Sequence, residues 1–181
     1  MKKLLLHICC APCAIYPYDN LTKAGFSVEG FFYNPNIQPQ EEYSKRKKAA
    51  ENLEKIFNIK LYYGDYEENR YLDRIKLSPD KPLRCKNCFR LRLEETHKFA
   101  KDKGFKFFTT TLLVSPYQDQ DLIKEIGEDV SKKSDTKFLF SDFRSGFRDA
   151  HNKAKELNFY CQKYCGCLSS LKERDVCRTS K

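Results

Sequence analysis

Eight of the chain's nine cysteines fall in three tight clusters, HICCAPC at His7 to Cys13, RCKNC at Arg84 to Cys88 and YCQKYCGC at Tyr160 to Cys167. Any fold adopted by these residues must bring soft sulfur donors from three distant segments to places where they can hold metal or exchange electrons. Thiolates select zinc or iron–sulfur clusters. An odd number of cysteines cannot all pair within one chain. The opening MKKLLLHICCAPC has too short an apolar stretch for a signal peptide, and no run of about 18 apolar residues occurs, so no membrane association and a cytoplasmic location are expected. In a reducing compartment clustered cysteines are metal ligands or catalytic thiols more often than structural bridges.

Hydrophobic periodicity lays out the scaffold that must position them. Leu4 to Ile8 reads as a central strand buried on both faces. Pro12 suits a first helical turn, Ile15, Tyr18, Leu21 and Ala24 continue the helix, and Gly25 can stop it. Val28 to Tyr33 and Leu61 to Tyr63 follow as strands, with a helix carrying Tyr43, Ala50, Leu53 and Phe57 between them. A polar, helix-prone stretch runs from Asp65 to Ile75. Cys85 and Cys88 open another helix that ends before Gly104. Phe107 to Val114 reads as a buried strand, Leu122, Ile126 and Val130 as a helix, Lys137 to Phe140 as the last clear strand, and Phe147 to Leu157 as the last clear helix. This alternation predicts a single α/β domain over residues 1–181, a three-layer structure with a parallel sheet of about five strands, closed by a cysteine-containing segment at 159–181. In such sheets the working site lies beyond the carboxyl ends of the strands, where Cys9 and Ser115 fall.

Lysine and arginine number 34 against 25 acidic residues, a net charge of +9 that favours a polyanionic partner such as nucleic acid. Lys45, Arg46, Lys47 and Lys48 form the densest patch, though most of them fit the solvated face of their helix. Lys172, Arg174, Arg178 and Lys181 form a second patch around Cys177, which itself reads as a bystander.

Cys85 and Cys88 stand three apart, so both sulfurs face one way on a helical turn. A helix N-terminus together with Arg84, Lys86 and Arg90 is expected to lower their thiol pKa values. A buried structural pair or a thiol–disulfide couple is the alternative. Cys9, Cys10 and Cys13 can share a metal only if the first two lie in the loop after the strand, and Pro12 favours that bend. Four thiolates, Cys9, Cys10, Cys85 and Cys88, are enough to ligate one cluster, with Cys13 left beside it. Iron–sulfur is favoured over zinc because adjacent cysteines fit zinc spacing poorly. Cys165 and Cys167, separated by Gly166, can close a small strained and reducible ring. Cys161 is either a third member of that group or a small core residue. His7 reads equally as a satisfied core histidine. Asp119, Asp121, Asp142, Arg144 and Arg148 lie near expected strand ends, where such charges can hold substrate or a second metal but mostly face solvent.

Taken together, HICCAPC, YNPNIQPQEEY, RCKNCFRLRL, TTTLLVSPYQD, SDFRSGF and QKYCGC resemble the QueH family of epoxyqueuosine reductases over nearly the whole chain. The resemblance implies reductive deoxygenation of epoxyqueuosine to queuosine at the wobble position of tRNA, without cobalamin. It implies a [4Fe-4S] cluster on Cys9, Cys10, Cys85 and Cys88, and a redox-active disulfide of Cys165 and Cys167. A second, mononuclear iron is implied as well, with Cys13 as its candidate ligand, and so is an external electron donor. The implied fold is similar to that of nucleotide alpha hydrolases, but the SGGxDS phosphate loop is missing and cysteines stand in its place, so no ATP is expected. The alternatives are a zinc-stabilised RNA-binding module without redox activity and, less well matched, a thioredoxin-like thiol oxidoreductase.

Overall fold

Strand β1 (Lys2–His7) buries Leu4, Leu5 and Leu6 completely, because parallel neighbours flank it on both edges and helices cover the sheet. Each leucine contributes ~1.5–3 kcal/mol of burial free energy. The computed structural model to which this strand belongs describes residues 2–132 and 134–179, with side chains through 175. Cys10 is the extended residue before helix α1 (Ala11–Lys23), and Pro12 stands in its first turn, where its missing N–H leaves no bond unmade. Gly25, at φ +87, turns the chain into β2 (Phe26–Phe32). Then come α2 (Gln40–Phe57), β3 (Leu61–Tyr63), α3 (Glu68–Ile75) and α4 (Leu83–Asp102). They are followed by β4 (Phe107–Thr110), α5 (Gln120–Ser131), β5 (Lys137–Phe138), α6 (Phe147–Glu156) and α7 (Leu168–Thr179).

The sheet is parallel throughout, in the order β3-β2-β1-β4-β5, with Leu5 opposite Glu29 on one side and Phe108 on the other. Helix α1 packs against α2 and α6, while α4 packs against α3 and α5, giving the expected helix–sheet–helix layering. The chain runs outward from β1 through β2 to β3, then crosses back to β4 on the other side of β1 and runs outward again to β5. The carboxyl end of β1 is therefore the switch point, and the HICCAPC loop emerges there.

Some expectations need correction. The strand expected over Phe107 to Val114 stops at Thr110, whose hydroxyl accepts the Leu112 N–H at 3.1 Å and caps a 3-10 turn at Thr111–Val114. Leu112, Leu113 and Val114 remain buried, so the apolar run signalled burial rather than extension. The last strand is likewise shorter: its pairing ends at Phe138, with one further backbone bond from Leu139 to Phe108. Helix α7 was not expected, since its charged sequence carries no apolar stripe. In the KRKK patch Lys45 and Lys48 are exposed, whereas Arg46 is only 2% exposed and faces inward. Of the second patch, Cys177, Arg178 and Lys181 lie outside the described side chains.

Candidate metal and redox site

The loop after β1 gathers sulfur. The ligand atoms of Cys9, Cys10 and Cys13 lie within 4.8 Å of one another, the only such group of three or more His, Cys, Asp or Glu ligands among the described residues. Cys9 and Cys10 are in the loop, as sharing requires, and Cys13 joins them from the first turn of α1. The Thr111 hydroxyl donates to Cys9 Sγ at 3.1 Å, and the Cys9 N–H in turn donates to Thr111 Oγ1. Gln162 Nε2 donates to Cys10 Sγ at 2.8 Å and to Cys13 Sγ at 3.8 Å. Hydrogen bonds from Cys10 and Cys13 hold the Cys9 thiol well below its usual pKa. Burial pushes Cys10 up, and the bonds to Cys10 and Cys9 push Cys13 up. Cys9 is therefore the thiol of the three that ionises most readily, and a bound cation would displace the protons of the other two.

Four more thiols, those of Cys85, Cys88, Cys165 and Cys167, line a separate cavity of about 210 Å³ together with Asn36, Tyr71 and Arg84. Their pKa values do not follow the expectation from neighbouring cations. Burial raises Cys85, and it raises Cys88 to about 12. The cations are committed elsewhere: Arg84 donates to Glu173 at 2.5 Å, Arg90 to Asp129 at 2.9 Å, and Lys86 lies 3.8 Å from Glu125. Cys167 differs from its neighbours. Burial pushes its thiol up, but hydrogen bonds from Ser170, the nearby Tyr71 hydroxyl and the Arg84 charge outweigh it, leaving the pKa lowered. Cys165 is an exposed residue whose thiol is nonetheless crowded by protein, and that desolvation raises its pKa.

A second, open cleft of about 600 Å³ reaches Cys9 and Cys13 on one side and Cys165 on the other. Cys165 thus stands on the wall common to both spaces. Its segment is fixed by α2. Arg46 Nη1 and Nη2 donate to the carbonyls of Cys165 and Tyr164, each at 3.0 Å, and Nε donates to Glu42 at 2.8 Å. Glu42 also accepts from the Tyr160 hydroxyl at 2.6 Å. Gly166, at φ +147, accepts the Gln38 N–H on its carbonyl oxygen at 2.9 Å. A Cβ there would approach Asn36 Nδ2 to 2.8 Å. The rim of the cleft carries Tyr117, 83% exposed and edge-on to Phe147, which in turn lies 4.2 Å from the His151 ring. Lys81, Lys163 and Arg174 also line it.

Other expected residues have structural employment. His7 is fully buried. Its Nε2 donates to the Tyr33 carbonyl, so Nδ1 accepts from the Thr110 hydroxyl, and burial lowers its pKa to about 4, leaving it neutral. Asp119 caps α5 by accepting the Leu122 N–H, and Asp142 is paired with Arg144. Asp121 and Arg148 are exposed. Cys161 is half-buried against the core, and Cys85 and Cys88 are not drawn into the compact Cys9–Cys10–Cys13 group. Sequence reasoning missed Thr111, Gln162, Asn36 and Arg92. Asn36 is 1% exposed with neither amide atom partnered, and it faces the thiol-lined cavity.

A family model described as epoxyqueuosine reductase QueH matches residues 4–173. Among curated proteins, the epoxyqueuosine reductase QueH of Thermotoga maritima is 37% identical over 182 residues, covering 96% of this chain and 93% of that protein. The protein of the same name from Dehalococcoides mccartyi is 34% identical over 173 residues, covering 95% and 94%. That of Streptococcus pyogenes serotype M1 is 33% identical over 184 residues, covering 96% and 72%. Among solved structures, a predicted subunit of a tRNA methyltransferase from Methanocaldococcus jannaschii superposes with a TM-score of 0.57 at 12% identity, covering 86% of this chain and 75% of that one. This last likeness is one of fold alone.

Proposed function

The chain belongs to the epoxyqueuosine reductase QueH family and is an oxidoreductase that reduces epoxyqueuosine to queuosine, and from that premise we propose how its own residues carry the reaction. The reading rests on one observation: six thiols line two adjoining spaces that share a wall at Cys165. In this reading Cys9, Cys10, Cys85 and Cys88 hold a [4Fe-4S] cluster, and Cys13 is a ligand of a second, mononuclear iron. The residues suit such a group. All the donors are sulfur, the Thr111 hydroxyl and Gln162 amide donate to them, and a buried guanidinium, Arg92, lies among them without a carboxylate. When bound, the cluster supplies one-electron transfer at low potential.

The chain's side chains account for the rest. Opening the epoxide breaks both carbon–oxygen bonds, forms a carbon–carbon double bond and releases the oxygen as water, which consumes two electrons and two protons. Cys165 and Cys167 supply these when their thiols close to a disulfide. Cys167, whose pKa is lowered, is the more readily ionised of the two. An external low-potential reductant then returns two electrons, and two protons re-form the thiols. Neither cobalamin nor ATP takes part. Tyr117, Phe147 and His151 offer aromatic faces to the bases of tRNA, while Lys81, Lys163 and Arg174 meet its phosphates. Residues 1–181 work as one catalytic domain in the cytoplasm, with 159–181 as the redox segment. No helix among the described residues is long and apolar enough to cross a membrane.

The test is anaerobic incubation of reconstituted protein with epoxyqueuosine-containing tRNA and a reductant, followed by nucleoside mass analysis. A product lighter by one oxygen is expected, from brown protein containing iron and acid-labile sulfide. Colourless protein with stoichiometric zinc and no product would replace this reading by a zinc-stabilised RNA-binding module, for which the compact Cys9–Cys10–Cys13 group is the natural ion site. Cys165→Ser with full cluster content and undiminished multiple turnover would remove the thiol step alone.

A further inference from the structure

Arg92 sits on α4 one turn after Cys88 and is 1% exposed. Its Nε donates to the Cys88 carbonyl at 3.4 Å, its guanidinium carbon lies 5.8 Å from the centre of the Phe89 ring, and Nη2 is buried without any partner. The other buried arginines have carboxylates: Arg46 has Glu42 and Arg84 has Glu173. Every ion pair among the described residues involves some cation other than Arg92. A guanidinium does not shed its proton in proteins, and a charge buried without a counter-charge is strongly destabilising. Something anionic must therefore stand opposite it in the working protein.

The groups that feel its charge most strongly come from four elements. They are Cys88 on α4, Cys9 after β1, Cys165 on the C-terminal segment and the Tyr71 hydroxyl on α3; His7 on β1 also feels the charge and is neutral. No carboxylate is among them. The negative charge available is that of sulfur, drawn from both cysteine-lined spaces. We propose that Arg92 is the fixed counter-cation of the thiolate-ligated centre and sets its reduction potential by favouring the more negative, reduced state. This rests on the iron–sulfur reading above. Each electron added to such a centre increases its negative charge, and a permanent positive charge held in a low-dielectric interior stabilises the reduced form more than the oxidised one. Arg92 touches no substrate in this account; it is a positioning residue that acts through the centre.

The test compares reconstituted wild type, Arg92→Met, Arg92→Gln and Arg92→Lys, each with iron and sulfide content measured, by anaerobic redox titration followed by electron paramagnetic resonance. For both neutral variants the ratio of reduced to oxidised centre at fixed ambient potential is expected to fall by about tenfold, a midpoint about 59 mV lower for one electron. Arg92→Lys, which keeps the charge, is expected to recover most of that shift. Metal-free Arg92→Met is expected to resist urea at least as well as metal-free wild type, since it removes an uncompensated charge. A cluster-replete neutral variant whose ratio stays within about twofold of wild type would overturn the proposal, as would a shift of equal size in Arg92→Lys. If Arg92→Met fails to assemble the centre, Arg92→Gln decides by the same criterion. A wild-type chain that assembles no cluster would instead overturn the reading beneath it.

Discussion

Replacing Arg46 by methionine would remove the clasp that ties the Tyr164–Cys165 segment to α2, and the structure sets the size of the effect. The guanidinium makes an ion pair with Glu42 at 2.8 Å, with side chains 2% and 8% exposed, and donates to two carbonyls at 3.0 Å. Methionine fills a similar volume but leaves the Glu42 carboxylate with only the Tyr160 hydroxyl for company. Breaking a buried pair from one side costs ~3–5 kcal/mol. That is a large share of the ~5–15 kcal/mol by which a domain is stable. With an m-value of about 2 kcal/mol/M, the urea midpoint of metal-free protein should drop by roughly 2 M. Metal-free protein is the right sample, because a bound cofactor would mask the change. Amide exchange should accelerate most over residues 160–167 and least in β1. Glu42→Gln placed on top of Arg46→Met should restore part of the loss, with a coupling of ~0.5–3 kcal/mol. A loss under about 1 kcal/mol, the worth of one ordinary hydrogen bond, with unchanged exchange over 160–167, would refute the reasoning.

Tyr117→Ala should leave the melting temperature unchanged, since the residue is 83% exposed, yet lower kcat/KM on tRNA by roughly 5- to 150-fold, the loss of ~1–3 kcal/mol of base stacking; steady-state kinetics beside a thermal melt checks both halves. Gly166→Ala should destabilise by ~1–3 kcal/mol, because alanine at φ +147 is strained and its methyl meets Asn36, and urea unfolding measures the cost. Burial pushes the Glu173 carboxyl up, but hydrogen bonds from Lys81 and Arg84 outweigh it and hold its pKa below the unfolded value. Its contribution to stability is therefore present above the unfolded carboxylate pKa and is lost as pH falls through the depressed folded one, and Glu173→Gln should flatten that part of the stability–pH curve in urea titrations between about pH 3 and 6.

The first half of the fold was legible because its apolar periodicity is strong: β3 is found at Leu61–Tyr63 as expected, and α1 carries the proline that marked it in its first turn. Periodicity reports burial before it reports geometry, which is why Leu112 to Val114 looked like strand until the Thr110 side chain capped the turn. Charged residues on a helix default to solvent in any sequence reading, so Arg46 and Arg92, both almost completely buried, gave no sign of their role. The partners of the first cysteine cluster were equally hidden. Thr111 lies 102 positions from Cys9 and Gln162 lies 152 from Cys10, and neither residue type is itself diagnostic. The cysteine spacing pointed to the right loop and helix. It could not reveal how deeply the thiols of α4 are buried, which raises their pKa values in spite of Arg84 beside Cys85 and Arg92 beside Cys88.

The segment at 159–167 is held to the body of the protein through Gln38, Glu42 and Arg46 after β2, through Gln162 on Cys10 and Cys13, and by the buried Phe159 and Cys167, and it adds no rung to the sheet. It behaves as a strap buckled on from outside. Its release would break these polar contacts and uncover Phe159 and Cys167, yet leave all five strands paired and the leucines and phenylalanines of the sheet covered. Access to the Cys9–Cys10–Cys13 group is thereby separable from the integrity of the sheet.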